Sequence, residues 1–175
     1  MSSVVTTVAA PEFRVANWLN ASRPVSLARL RGKVVAVYAF QMLCPGCVSH
    51  AIPQAKQVRH TFPREDVEVL GLHTVFEHHV AMGRAALEAF IHEYRIDFPV
   101  GIDQPSDNGP VPLTMQQYQL RGTPTLLLFD RQGVLRHSIL GKVHDMQVGA
   151  LLAGLVAETI AQPQHPHCND GACRI

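Results

Sequence analysis

Aromatic residues make up only 6% of this 175-residue chain, and its 15 Lys and Arg are balanced by 14 Asp and Glu. The shortage of Phe, Tyr and Trp disfavours a base-stacking platform. The formal net charge of +1 leaves no electrostatic footprint for nucleic acid or an anionic membrane. The longest apolar runs, Val34 to Phe40 and Leu126 to Phe129, are strand-sized and too short to span a bilayer. Met1 to Ala10 contains no Lys or Arg and only a short apolar stretch, so no secretory leader is expected, and the expectation is a soluble, cytoplasmic protein. Four cysteines are too few to staple a fold of this length. The 47% apolar content rules out a disordered chain, and the length fits one domain with a sizeable core.

Hydrophobic patterning gives an alternating order of strands and helices. A leader up to Asn20 holds one strand, and Val25 to Leu30 reads as a short helical turn. Val34 to Phe40 is a β-branched apolar run suited to a strand buried on both faces. Cys47 to His60 reads as a helix with Val48, Ile52, Ala55 and Val58 on one stripe, kinked at Pro53. Val67 to His73 is the next strand, and Val80 to Tyr94 the next helix, with Leu87, Phe90, Ile91 and Tyr94 on one side. Phe98 to Ile102 reads as a strand, Asp103 to Pro112 as a loop and Thr114 to Tyr118 as a helical turn. Thr125 to Phe129, the turn Asp130-Arg131-Gln132-Gly133 and Val134 to Ile139 form a hairpin, and Asp145 to Ile160 a last helix. This order implies an α/β fold, a central mixed sheet flanked by helices on both faces. The domain is read as residues 1–161, with 162–175 a polar tail containing His and Cys.

In a reducing compartment, closely spaced cysteines are more often catalytic or metal-binding than structural. Cys44-Pro45-Gly46-Cys47 lies between a buried strand and an amphipathic helix. At a helix start, unpaired backbone N–H groups and the helix dipole favour the thiolate of Cys44, the species that attacks disulfides. Cys47, three residues on, is in position to resolve the resulting mixed disulfide. The alternatives are a zinc site, which needs a second ligand pair, or two structural thiols.

With the segment Val34 to Cys47, the run Gly122-Thr123-Pro124-Thr125 before an apolar strand, and Asp130-Arg131-Gln132-Gly133, the chain resembles the thioredoxin superfamily. Ala10-Pro11-Glu12-Phe13, Leu30-Arg31-Gly32-Lys33-Val34-Val35 and Phe98-Pro99-Val100 with Asp103 make it similar to the redoxin branch, closest to TlpA-like thiol-disulfide oxidoreductases. The resemblance covers about Pro11 to Ala161. It implies a thioredoxin-like fold with a redoxin-type N-terminal extension, a cis-proline at Pro124 facing the cysteines, and backbone contacts from Thr123 to substrate. It implies no organic cofactor. The implied partners are a disulfide-containing protein substrate and a thiol electron donor, with reduction the expected direction in the cytosol.

The chain departs from the family pattern in three respects. Leu43 stands where an aromatic residue commonly precedes the first cysteine, and Gln41-Met42 replaces a small-residue approach, which is expected to alter the docking surface. Pro53 falls six residues after Cys47, one more than usual, so the helix is expected to be offset. Tyr38 occupies the position of the buried carboxylate of thioredoxins, and a phenol is a poor proton acceptor near neutral pH. His73, at the end of a parallel strand, and Glu77 are therefore candidates for tuning the cysteine pair, against the alternative of a solvated loop.

A thiol peroxidase of the peroxiredoxin type is the rival enzyme, but aligning its cysteine with Cys47 puts Cys44 and Phe40 at its Thr and Pro signature positions. The tail gathers His165, His167, Cys168 and Cys173. Cys168 and Cys173 form a possible auxiliary redox pair; a zinc- or copper-binding module and a tail without chemistry are the alternatives. Elsewhere the histidines follow no tight ligand spacing, so no metal is expected in the body of the domain.

Overall fold

The computed structural model describes residues 8–158. Six strands form one sheet in the order β1-β4-β3-β2-β5-β6. These are β1 (Val15–Leu19), β2 (Val34–Phe40), β3 (Val67–His73), β4 (Val100–Asp103), β5 (Thr125–Phe129) and β6 (Leu135–Leu140). Strands β2, β3 and β4 run parallel, whereas β1, β5 and β6 are each antiparallel to the strand they join, giving the expected mixed sheet.

The β-branched run of β2 is buried at all seven positions because both sheet faces are covered. Val34, Ala36, Tyr38 and Phe40 face a layer made by α1 (Ile52–Thr61), α2 (Arg84–Glu93) and α4 (Asp145–Ala157), through Ile52, Ala55, Leu87, Ile91, Val148 and Leu152. Val35, Val37 and Ala39 face the opposite layer with Leu27, Met115 and Leu120, where α3 (Leu113–Gln117) and the single helical turn Ala28–Leu30 lie. Edge strand β6 alternates half-buried and exposed residues, as expected where one face is solvated.

The N-terminal extension is held by specific bonds. The Glu12 carboxylate accepts the backbone N–H groups of Leu27 and Ala28, both at 2.7 Å. Phe13 packs edge-on against Phe129 at 5.8 Å, and the Tyr118 hydroxyl donates to the Pro11 carbonyl. Asp103 closes β4 by accepting the N–H groups of Thr114 and Met115 at 2.8 and 3.0 Å, which supplies the partners that the start of α3 lacks.

Several boundaries differ from the sequence reading. Helix α2 begins at Arg84 instead of Val80: His78 adopts a left-handed φ of 51°, Gly83 is extended, and Val80 is fully exposed. Proline 99 delays β4 to Val100, although Phe98 is buried in the core. The helix after the cysteines opens irregularly, next to the position where an extra residue was read. Cys47–Ala51 forms a π-helical turn, with the Ile52 N–H bonded to the Cys47 carbonyl, and α1 follows. A π-turn absorbs one inserted residue, and here it is followed directly by Pro53, which has no N–H to contribute to a normal ladder.

Candidate active site

Cys44 lies four residues past the end of β2, and Cys47 opens the π-turn. The turn is tight. The Cys44 N–H bonds to the Gln41 carbonyl at 3.2 Å, and the Cys47 N–H lies 3.0 Å from the Cys44 carbonyl and 3.3 Å from the Cys44 sulfur. Cys44 is half-buried and Cys47 is fully buried; both thiols are free. The Cys44 thiol faces the Thr123 carbonyl at 3.5 Å.

The Thr123–Pro124 peptide is cis, as the resemblance implied. The Pro124 ring lies against Gly46, with its Cδ 3.4 Å from where a Cβ on Gly46 would stand. The Gly141 N–H bonds to the Pro124 carbonyl at 2.7 Å, tying this loop to the end of β6. Thr123 and Pro124 are half-buried beside Cys44, while Leu43 and Leu140 are exposed apolar side chains at 58% and 50%.

The two thiols have different electrostatic surroundings. Burial, and then the hydrogen bond with Cys44, push the Cys47 thiol up to about 12, against a smaller lowering by the Gln41 backbone and Thr123. A buried thiol resists ionisation because its thiolate loses the solvation of water; the Cys44 sulfur is reached by solvent and accepts the Cys47 N–H.

Gln41 is the residue whose role the sequence did not disclose. It is 1% exposed, so Gln41 and the buried Met42 belong to the interior and not to the docking surface expected of them. The Gln41 side chain accepts the Phe76 N–H at 3.2 Å and donates to Glu77 at 3.4 Å, clamping the loop after β3 to the segment that carries the cysteines. The signal available was a lone amide following a seven-residue apolar strand, where a polar residue is buried only if it is hydrogen-bonded.

His73 is 2% exposed, its ring 5.3 Å from that of Phe40, and its Nε2 has no hydrogen-bond partner among the described residues. Burial lowers its pKa to about 4, so it is neutral at ordinary pH. It lines a cavity of about 300 Å³ at the ends of β3 and β4, together with Val75, Met82 and Ile102. Neither cysteine lines that cavity. Glu77 is exposed and reaches the dithiol segment through Gln41. Tyr38 donates to Gln54 at 3.4 Å, and Gln54 in turn donates to Asp145 at 2.6 Å. Burial, with Asp145 nearby, raises the Tyr38 phenol further, so it cannot serve as the proton acceptor that a carboxylate at this position would be.

Among the described residues, no group of three or more His, Cys, Asp or Glu is arranged to hold a metal ion. No described helix is long and apolar enough to cross a membrane. The expected auxiliary pair, Cys168 and Cys173, lies outside the described residues.

Comparison with known proteins agrees with this geometry. A crystal structure of a Thioredoxin-like superfamily protein is 56% identical and superposes with a TM-score of 0.84, covering 86% of this chain and 97% of that one. A Thiol-disulfide Isomerase from Corynebacterium glutamicum is 46% identical with a TM-score of 0.83 over the same shares. NHL repeat-containing protein 2 of Gallus gallus is 26% identical over 138 residues, 77% of this chain, and the chain spans only 18% of that protein's length. Residues 6–138 match the AhpC/TSA family. A strand running into a cysteine pair, the pair set against a Thr-Pro loop, and a match over most of the sequence make this chain a member of the AhpC/TSA family within the thioredoxin-like superfamily.

Proposed function

We propose that the protein is a thiol–disulfide oxidoreductase that uses Cys44 as nucleophile and Cys47 as resolving thiol on disulfides of protein substrates. The observation that carries this reading is the asymmetry of the pair: Cys44 is half-buried beside Thr123 and reachable, whereas Cys47 is fully buried, which raises its pKa. A dithiol built this way attacks with one defined sulfur.

The Cys44 thiolate attacks one sulfur of the substrate disulfide. That S–S bond breaks, a mixed disulfide forms, and the first substrate sulfur leaves as a thiolate that takes a proton from solvent. Cys47 then gives up its proton and attacks the Cys44 sulfur, displacing the second substrate thiolate, which takes that proton up. One substrate disulfide is reduced to two thiols, and Cys44–Cys47 is oxidised; a thiol electron donor restores it by the reverse exchange. The Thr123 backbone, with exposed Leu43 and Leu140 flanking the pair, supports an extended, partly apolar substrate segment. The Gln41 clamp to Glu77 and Phe76 is the route by which the loop after β3 tunes Cys47.

The direct experiment combines trapping with a rate comparison. Cys47→Ser is expected to accumulate mixed disulfides that disappear on adding dithiothreitol, while Cys44→Ser forms none. Reduced wild type is expected to react faster with a model protein disulfide than with stoichiometric hydrogen peroxide. Absence of trapped species together with faster oxidation by peroxide would sink the exchange reading in favour of peroxide reduction.

A further inference from the structure

At the opposite end of the sheet from the cysteines, a cleft of about 680 Å³ opens between the segment following β1, the start of β2 and the end of α1. That volume falls in the range of small-molecule sites. Its lining collects Arg23, Arg29, Lys33, Arg59 and Arg64, one third of the chain's 15 Lys and Arg, against only Glu68 and Asp97. The cleft therefore carries about +3 where the whole chain carries +1.

These charges are not all paired internally. Glu68 is shared between Arg59 at 2.7 Å and Lys33 at 3.7 Å, which fixes the floor of the cleft. Arg59 is 8% exposed, and its Nε–H has no acceptor among the described residues. Asp97 pairs with His60 at 3.1 Å. Arg23, Arg29 and Arg64 are exposed and make no ion pair among the described residues. Guanidiniums in a concave setting favour planar, bidentate contact with oxyanions. Three unpaired positive charges match a diphosphate better than a single carboxylate. Leu30, Leu70 and Pro99 add apolar wall, but no aromatic ring lines the cleft, so nothing there stacks a base.

We propose that this cleft binds a small organic phosphate, held through a diphosphate group by Arg23, Arg29 and Arg64 above the Arg59–Glu68–Lys33 floor. Recognition is of the phosphates and not of the body that carries them. The seven residues of β2 separate the cleft from the dithiol end, roughly 20 Å along the strand. Binding is therefore independent of the exchange chemistry.

Calorimetric titration of the reduced full-length protein tests this, with inorganic pyrophosphate, ADP, UDP and inorganic phosphate as probes. Pyrophosphate, ADP and UDP are expected to bind one per chain with similar dissociation constants below about 1 mM, and inorganic phosphate about tenfold more weakly. Arg29→Gln and Arg64→Gln are each expected to weaken pyrophosphate about five- to tenfold, since each removes a charged hydrogen-bond donor. Both variants should keep the wild-type rate of disulfide exchange, which shows that they fold. Absence of saturable binding, affinities unchanged in both variants, or phosphate binding as tightly as pyrophosphate would overturn the proposal. So would capture of a single-stranded oligonucleotide that pyrophosphate does not displace.

Discussion

The dithiol has two flanks that differ in almost every physical respect. On one, Leu43, Cys44, Gly46, Thr123 and Pro124 are half-buried or exposed, and contacts between segments are few: a thiol on a carbonyl and a proline ring against a glycine. On the other, Phe40, Gln41, Cys47 and His73 are all but inaccessible, and the polar atoms of Gln41 are satisfied by neighbouring loops. The open flank leaves one thiol accessible, and burial on the sealed flank disfavours ionisation of the other. Each flank can be perturbed alone, so the contrast can be tested.

Exchanging the sulfurs has the largest expected effect. Cys44→Ser should abolish turnover, because the sulfur proposed to attack the substrate is gone. Cys47→Ser should leave the first attack near its wild-type rate and stop the cycle at the mixed disulfide, seen as a covalent adduct by mass spectrometry. If the two variants behaved alike, the flanks would be chemically equivalent and the contrast would fail.

The next effect is on stability and belongs to His73. Its pKa falls from 6.5 to about 4 in the folded state because of burial. The unfolded chain therefore binds the proton first as pH drops. Above about pH 6.5 this group costs nothing; between 6.5 and 4 stability declines, and below 4 the loss levels off. The shift corresponds to about 3 kcal/mol. Chemical denaturation across this range should show that decline in wild type and its absence in His73→Leu. The pH profile of Cys44 alkylation should be the same in wild type and His73→Gln; a displaced profile would tie His73 directly to the dithiol.

How much of this was legible in the sequence depends on how local the cause is. Strands β2, β3 and β5 have the bounds read from the sequence, because mostly apolar, β-prone segments of strand length mark strands covered on both faces. The cysteine pair and the Thr-Pro loop were legible as motifs, as was Glu12, whose carboxylate holds two N–H groups. The start of α2 was not, since a left-handed His78 and an extended Gly83 leave Val80 in solvent despite its helical spacing. Gln41 was misread because its partners lie 35 and 36 residues away, and periodicity carries no long-range pairing. The basic cleft was hidden by the near-zero net charge, which averages over the surface that the fold divides.

Gln41→Leu probes the sealed flank more gently. It removes the bonds to Phe76 and Glu77 while keeping a similar volume, so a loss of about 1–2 kcal/mol is expected in urea unfolding. Because the Gln41 backbone favours the Cys47 thiolate, loosening that segment should raise the pH at which Cys47 resolves a mixed disulfide. The first attack by Cys44 should change little. Gln41→Glu, which keeps the acceptor for Phe76 but buries a carboxylate against Glu77, should be less stable than wild type. Equal slowing of both chemical steps would mean that Gln41 supports the whole turn and not the sealed flank.

The smallest effect, and the test of slack on the open flank, comes from Gly46→Ala. Gly46 has φ −65° and ψ −31°, an ordinary helical conformation that any L-residue adopts. A Cβ there would meet Pro124 Cδ at 3.4 Å, within normal van der Waals contact. Neither strain nor a clash therefore demands glycine. Removing its excess conformational freedom in the unfolded chain should stabilise the protein by about 0.5–1 kcal/mol, read as a higher urea midpoint with an unchanged slope. Exchange with a small model disulfide should persist, because the added methyl meets the proline and not the Cys44 sulfur. A destabilised Gly46→Ala would mean that the proline ring and the cysteine turn are packed without room to spare. The open flank would then be as tightly fitted as the sealed one, and its accessibility would come only from lying at the surface.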